Sequence, residues 1–141
     1  MRLFRRLNQP LSTSWSWIVV GLWIGVLAAQ SFVANASDRT GKPTWWIDNT
    51  GPLPTWLAFL LGVIGPVAVL LIRFWEPRFV VVTQFVAVAL LALNAIIDTS
   101  RAPGAATVEY LIALAAILGS ISALAGLPLN HVQSADVAPE G

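Results

Sequence analysis

The chain contains no cysteine. That excludes disulfides, thiolate metal sites and a cysteine nucleophile. Histidine and tyrosine occur once each among the 141 residues, and Lys42 is the sole lysine. A second histidine for a two-histidine metal or haem site is missing, and His131 falls in a polar terminal stretch. Catalysis requires at least two cooperating groups within reach of each other. No HExxH, GxSxG, Walker or dinucleotide-binding pattern is present. The sequence therefore nominates no catalytic residue, no metal site and no cofactor.

Charge is equally scarce. Charged residues make up 11% of the chain, against about 25% in an ordinary soluble domain. The net charge is +1 and the basic residues form no long run, which excludes a nucleic-acid footprint. Hydrophobic residues make up 57%. A soluble protein of that composition would have too little polar surface to cover its core. Composition therefore places the chain in a lipid bilayer.

Four apolar stretches follow one another, at about residues 15–34, 56–72, 79–97 and 105–127. A helix needs about 20 residues to cross the hydrocarbon layer. Lipid offers the backbone no hydrogen-bond partners, so the spans must be helices. A β-barrel would need alternating polar and apolar residues, which these runs lack. The expectation is an all-α integral membrane protein, four transmembrane helices arranged as two antiparallel hairpins in a small bundle. A basic segment at 1–14 precedes it and a polar, flexible tail at 128–141 follows. Ser14 is placed to cap the first helix.

Gly, Pro, Asn and Asp crowd residues 35–54, which predicts a polar loop. Trp45 and Trp46 in its middle are expected to lie down in the membrane interface. Trp15, Trp17, Trp56 and Trp75 stand at span ends as further interfacial anchors. Pro66 sits inside the second span, behind Gly62 and Gly65, and predicts a kink.

Arg2, Arg5, Arg6, Arg73 and Arg78 fall on one side of such a bundle, and Arg39, Lys42 and Arg101 on the other. The positive-inside rule then puts both termini in the cytoplasm, most simply of a bacterial inner membrane. The rival is a secretory signal cleaved after Ala36 in Ala34-Asn35-Ala36. The first apolar run is longer than the roughly 7–15 residues of a signal core, which favours an uncleaved span. Asn35-Ala36-Ser37 fits a glycosylation pattern, but it would lie against the membrane.

Small residues at four-residue spacing drive helix packing in lipid. Gly21 and Gly25 form such a pair in the first span, and Ala115, Gly119 and Ala123 in the fourth. Ala89, Ala92 and Ala95 give the third span a small face. These stripes serve either the bundle itself or a partner.

Ionisable residues inside a span are functional suspects. Glu109, with Asp98 and Arg101 just before it, could form a polar cluster that binds a proton, a cation or a partner's arginine. The more ordinary role for Glu109 is a helix-start carboxylate that reaches water. Gln84 and Asn94 are expected to hydrogen-bond between helices rather than to line a path.

Three function classes remain. The leading one is a non-enzymatic accessory or assembly subunit of a larger membrane complex, with the bilayer and a membrane protein or a second copy as partners. The others are a holin-like self-assembling permeabilising protein and a small dimeric transporter or channel.

Overall fold

A computed structural model describes residues 10–48 and 52–127. The expectations for the basic residues Arg2, Arg5 and Arg6, for the tail at 128–141 and for His131 lie outside the described residues. Regular structure among the described residues is entirely helical: α1 Thr13–Arg39, α2 Thr55–Trp75, α3 Val80–Asp98 and α4 Pro103–Ala123. Short 3-10 turns, Pro77–Phe79 and Leu124–Gly126, precede α3 and follow α4. All four helices are long and apolar enough to cross a membrane.

The first helix runs further than the composition of its end suggests. Asn35–Arg39, expected in a loop, complete α1, and the helix stops only where Gly41 adopts a positive φ of 72°. A left-handed glycine just past the last turn is a common helix terminator. Ser12, not Ser14, occupies the cap position, and it makes no side-chain cap. Its N–H instead donates to the Gly126 carbonyl at 3.1 Å, which ties the start of α1 to the end of α4.

The helices close into a ring, with α1 against α2 and α4, and α3 against α2 and α4. Valines and alanines fill the centre, among them Val19, Val26, Val69, Val88, Ala113 and Ala116. The outside is rich in large apolar side chains, including Phe32, Trp56, Phe74, Ile96 and Leu111. The polar residues Gln30, Gln84, Asn94, Asp98 and Glu109 are buried. Apolar groups outside and polar groups inside is the arrangement a hydrocarbon solvent demands.

Glycines set the closest helix approaches. A Cβ on Gly65 would stand 3.3 Å from the Ala87 backbone of α3. A Cβ on Gly119 of α4 would collide with Leu22 of α1, and one on Gly126 with the Trp15 ring. Ala123 is buried as well. On α3 the residue facing α2 is Ala87; of the expected small face, Ala95 is buried and Ala89 is exposed.

Candidate functional site

The buried acids Asp98 and Glu109 lie in the half of the bundle nearest the loop that follows α1. Gly41 turns the chain back, and the Ser37 hydroxyl donates to the Lys42 carbonyl. A tight turn follows, in which Ile47 and Asp48 donate their N–H groups to the Thr44 carbonyl at 3.1 and 3.0 Å. This turn aims Trp46 into the bundle instead of along its surface. Trp46 is only 2% exposed, which corrects the expectation that it lies flat in the interface. Its ring rests on Gly62, where a Cβ would come within 2.6 Å, and meets Phe59 at 5.9 Å between ring centres. Gly62 is needed because any side chain there would occupy the volume of the indole. Trp45 is half-buried, Trp15 packs over Gly126, and Trp17, Trp56 and Trp75 are exposed.

The inserted loop meets two acids. Trp46 Nε1 donates to Glu109 Oε1 at 3.4 Å, and the Trp45 backbone N–H donates to Asp98 Oδ1 at 2.8 Å. Glu109 is 3% exposed and lies nearly two turns inside α4. It is not the water-reaching helix-start carboxylate of the more ordinary reading, because the loop roofs it over. Asp98 is fully buried beside it. The two carboxyls also face each other within hydrogen-bonding reach. Arg101 stands beside this pair, its N–H donating to the Asp98 carbonyl at 3.1 Å, but its side chain does not bond either carboxyl. It reaches outward to Asp48 at 3.2 Å, with 43% of its side chain exposed.

A second tier is built around a carbonyl that proline sets free. In a regular helix the Gly62 carbonyl would accept from the N–H four residues on. That residue is Pro66, which has none. Asn94 Nδ2 of α3 donates to this carbonyl at 3.1 Å and Gln30 Nε2 of α1 at 3.4 Å. Two neighbouring helices thus satisfy one defect in α2, the usual way a membrane helix tolerates proline. Below it, Trp23 Nε1 of α1 donates to Gln84 Oε1 of α3 at 3.2 Å, across the centre of the ring. Gln30 Oε1 and Gln84 Nε2 remain without partners among the described residues.

Gln84 and Asn94 therefore join helices, as their chemistry suggests. Gln30 and Trp23 are the partners that sequence reasoning passed over. One signal for Gln30 was available: a proline in a span implies an orphan carbonyl four residues earlier, and hence a donor on another helix.

The seam between α1 and α4 is different. Gly21 and Gly25 are exposed, with nothing within 4 Å of a Cβ placed on either. With Ala29, Ile112 and Ala115 they line an open depression of about 280 Å³. Further toward the loop, the same seam opens into a groove of about 570 Å³ between Phe32 and Thr40 of α1 and its C-cap on one side and the first turns of α4 on the other. Among the described residues no cluster of histidines or acids is large enough to hold a metal. Comparison of the chain with protein families, with curated proteins and with solved structures finds no match.

Proposed function

We propose that this chain is a non-enzymatic multi-pass membrane subunit that associates with another membrane helix through the α1–α4 seam. In this reading four antiparallel crossings put both termini in the cytoplasm of a bacterial cell, and the Trp45–Trp46 loop faces out. The Lys and Arg distribution supports that orientation.

One observation carries the association: Gly21 and Gly25 are unfilled. A glycine in a helix interior costs about 1 kcal/mol relative to alanine. Gly62, Gly65 and Gly119 offset that cost by admitting a tryptophan, a helix backbone and a leucine. Gly21 and Gly25 admit nothing within the chain. Close approach of a second backbone is the common use of glycines at this spacing in lipid.

The test is a pull-down of the tagged full chain in mild detergent, with native mass measurement of what co-purifies. The expected result is a fixed partner or a defined homo-oligomer that is lost in Gly21→Leu/Gly25→Leu. A chain that is monomeric with and without these substitutions contradicts the proposal.

A second reading is favoured by the unpartnered amide atoms Gln30 Oε1 and Gln84 Nε2 and by the facing carboxyls of Asp98 and Glu109 in the bundle interior. They suit a proton or cation path through a small transporter. Vesicle flux that Glu109→Gln or Asn94→Ala abolishes would support it, and a tight vesicle would exclude it.

A further inference from the structure

We propose that the loop end of the α1–α4 seam is a binding groove for one anionic phospholipid. The groove measures about 570 Å³, within the roughly 300–1,000 Å³ usual for ligand pockets. Its lining changes character along its length. Phe32, Val33 and Val108 line its end toward the middle of the helices, with Phe32 and Val108 exposed on its rim, and Ala36 and Ala105 keep the middle narrow in side chain and wide in space. Ser37, Thr40 and Lys42 stand at the mouth. At 1.5 Å per residue, Phe32 lies about 10 Å below the end of α1 at Arg39. The Ser37 and Thr40 hydroxyls donate within the chain, to the Lys42 and Ser37 carbonyls, so an apolar stretch below a lysine-bearing mouth is what matches a phospholipid, acyl chain down and phosphate up.

Charge complementarity selects an anionic headgroup. Lys42, an exposed residue, is among those lining the groove, and Arg39 ends the adjoining helix. No acidic side chain lines the groove. The first turn of α4 forms its other wall and carries no acidic residue and no side-chain cap, so nothing there offsets the positive end of the helix. Gly104 leaves open space on that wall. The loop end is also where a headgroup would be, since the four spans end there. A partner helix would cover the apolar stretch but would leave Lys42 at the mouth unanswered.

This groove and the Gly21–Gly25 depression share no residue, so the lipid site stands or falls separately from the subunit reading. The full chain, purified in mild detergent, is titrated with phosphatidylglycerol and separately with phosphatidylcholine, and bound lipid is counted by native mass measurement. One phosphatidylglycerol per chain should be retained about fivefold better than phosphatidylcholine, the preference one lysine confers near an anionic headgroup. Lys42→Ala should abolish the preference and Lys42→Arg should keep it. Ala105→Trp should displace either lipid. Lys42 is exposed, so its variants test the site even if Ala105→Trp does not fold. Equal retention of the two lipids, or a preference that survives Lys42→Ala, overturns the proposal.

Discussion

Two seams of this bundle, α2–α3 and α1–α4, are built from the same residue types and end differently. Between α2 and α3, Gly65 meets Ala87, and beside that contact Gly62 is covered by Trp46 and its carbonyl is taken by Asn94 and Gln30. Between α1 and α4, Gly119 and Gly126 are filled near the chain ends, while Gly21 and Gly25 stand open. A small-residue motif therefore has no fixed meaning in a membrane helix. What fills it decides whether it closes the fold or faces outward.

Substitution at matched glycines should break this comparison most visibly. Gly62→Leu puts a side chain where the Trp46 ring lies, and overpacking of that kind costs about 3 kcal/mol. The expected outcome is a clear loss of thermal stability in detergent, with tryptophan emission shifted to the red as the loop is expelled. Gly25→Leu meets open space and should leave the melting temperature of the isolated chain unchanged or slightly raised.

The proline defect gives a sharper test. Asn94→Ala removes one donor from the Gly62 carbonyl and should cost about 1–2 kcal/mol, in the upper range for interhelical hydrogen bonds in lipid. Pro66→Ala returns an N–H to the same carbonyl. In the Pro66→Ala background, Asn94→Ala should cost about 1 kcal/mol less. Additive effects in that cycle would mean the amide serves some other purpose.

Two smaller effects probe the roof. Trp46→Phe keeps an aromatic side chain but deletes the bond to Glu109 and part of the buried indole volume, and should cost at least about 1 kcal/mol in chemical or thermal unfolding. Arg101→Ala breaks an exposed ion pair with Asp48 and should change stability by less than about 1 kcal/mol. A larger loss at Arg101 than at Trp46 would move the anchor of the loop from the buried ring to the surface.

Much of this was legible in the sequence. Length and hydropathy located four helices long and apolar enough to cross a bilayer, because about 20 apolar residues have few other uses. The roles of Asn94 and Gln84 followed from the scarcity of partners in lipid. Trp46 was not legible. Its neighbours in the chain are polar, and only the left-handed Gly41 and the absence of a side chain at Gly62 let the ring turn inward. Glu109 was misjudged for the same reason: near a helix start, water is the ordinary neighbour, and the roof that excludes it comes from a loop more than sixty residues earlier. The end of α1 was placed too early because polar residues at 35–39 read as loop, although no residue there breaks a helix.

The central claim is that the open glycines of α1 face another molecule. Because the chain has no cysteine of its own, a single thiol can be placed at will. Gly25→Cys and, as a lipid-facing control, Ile96→Cys on the exposed face of α3 would each be labelled with a thiol-anchored photo-cross-linker in native membranes. The account predicts a discrete protein adduct from position 25 and none from position 96. The same yield from both positions, or an adduct from position 96 alone, would contradict it.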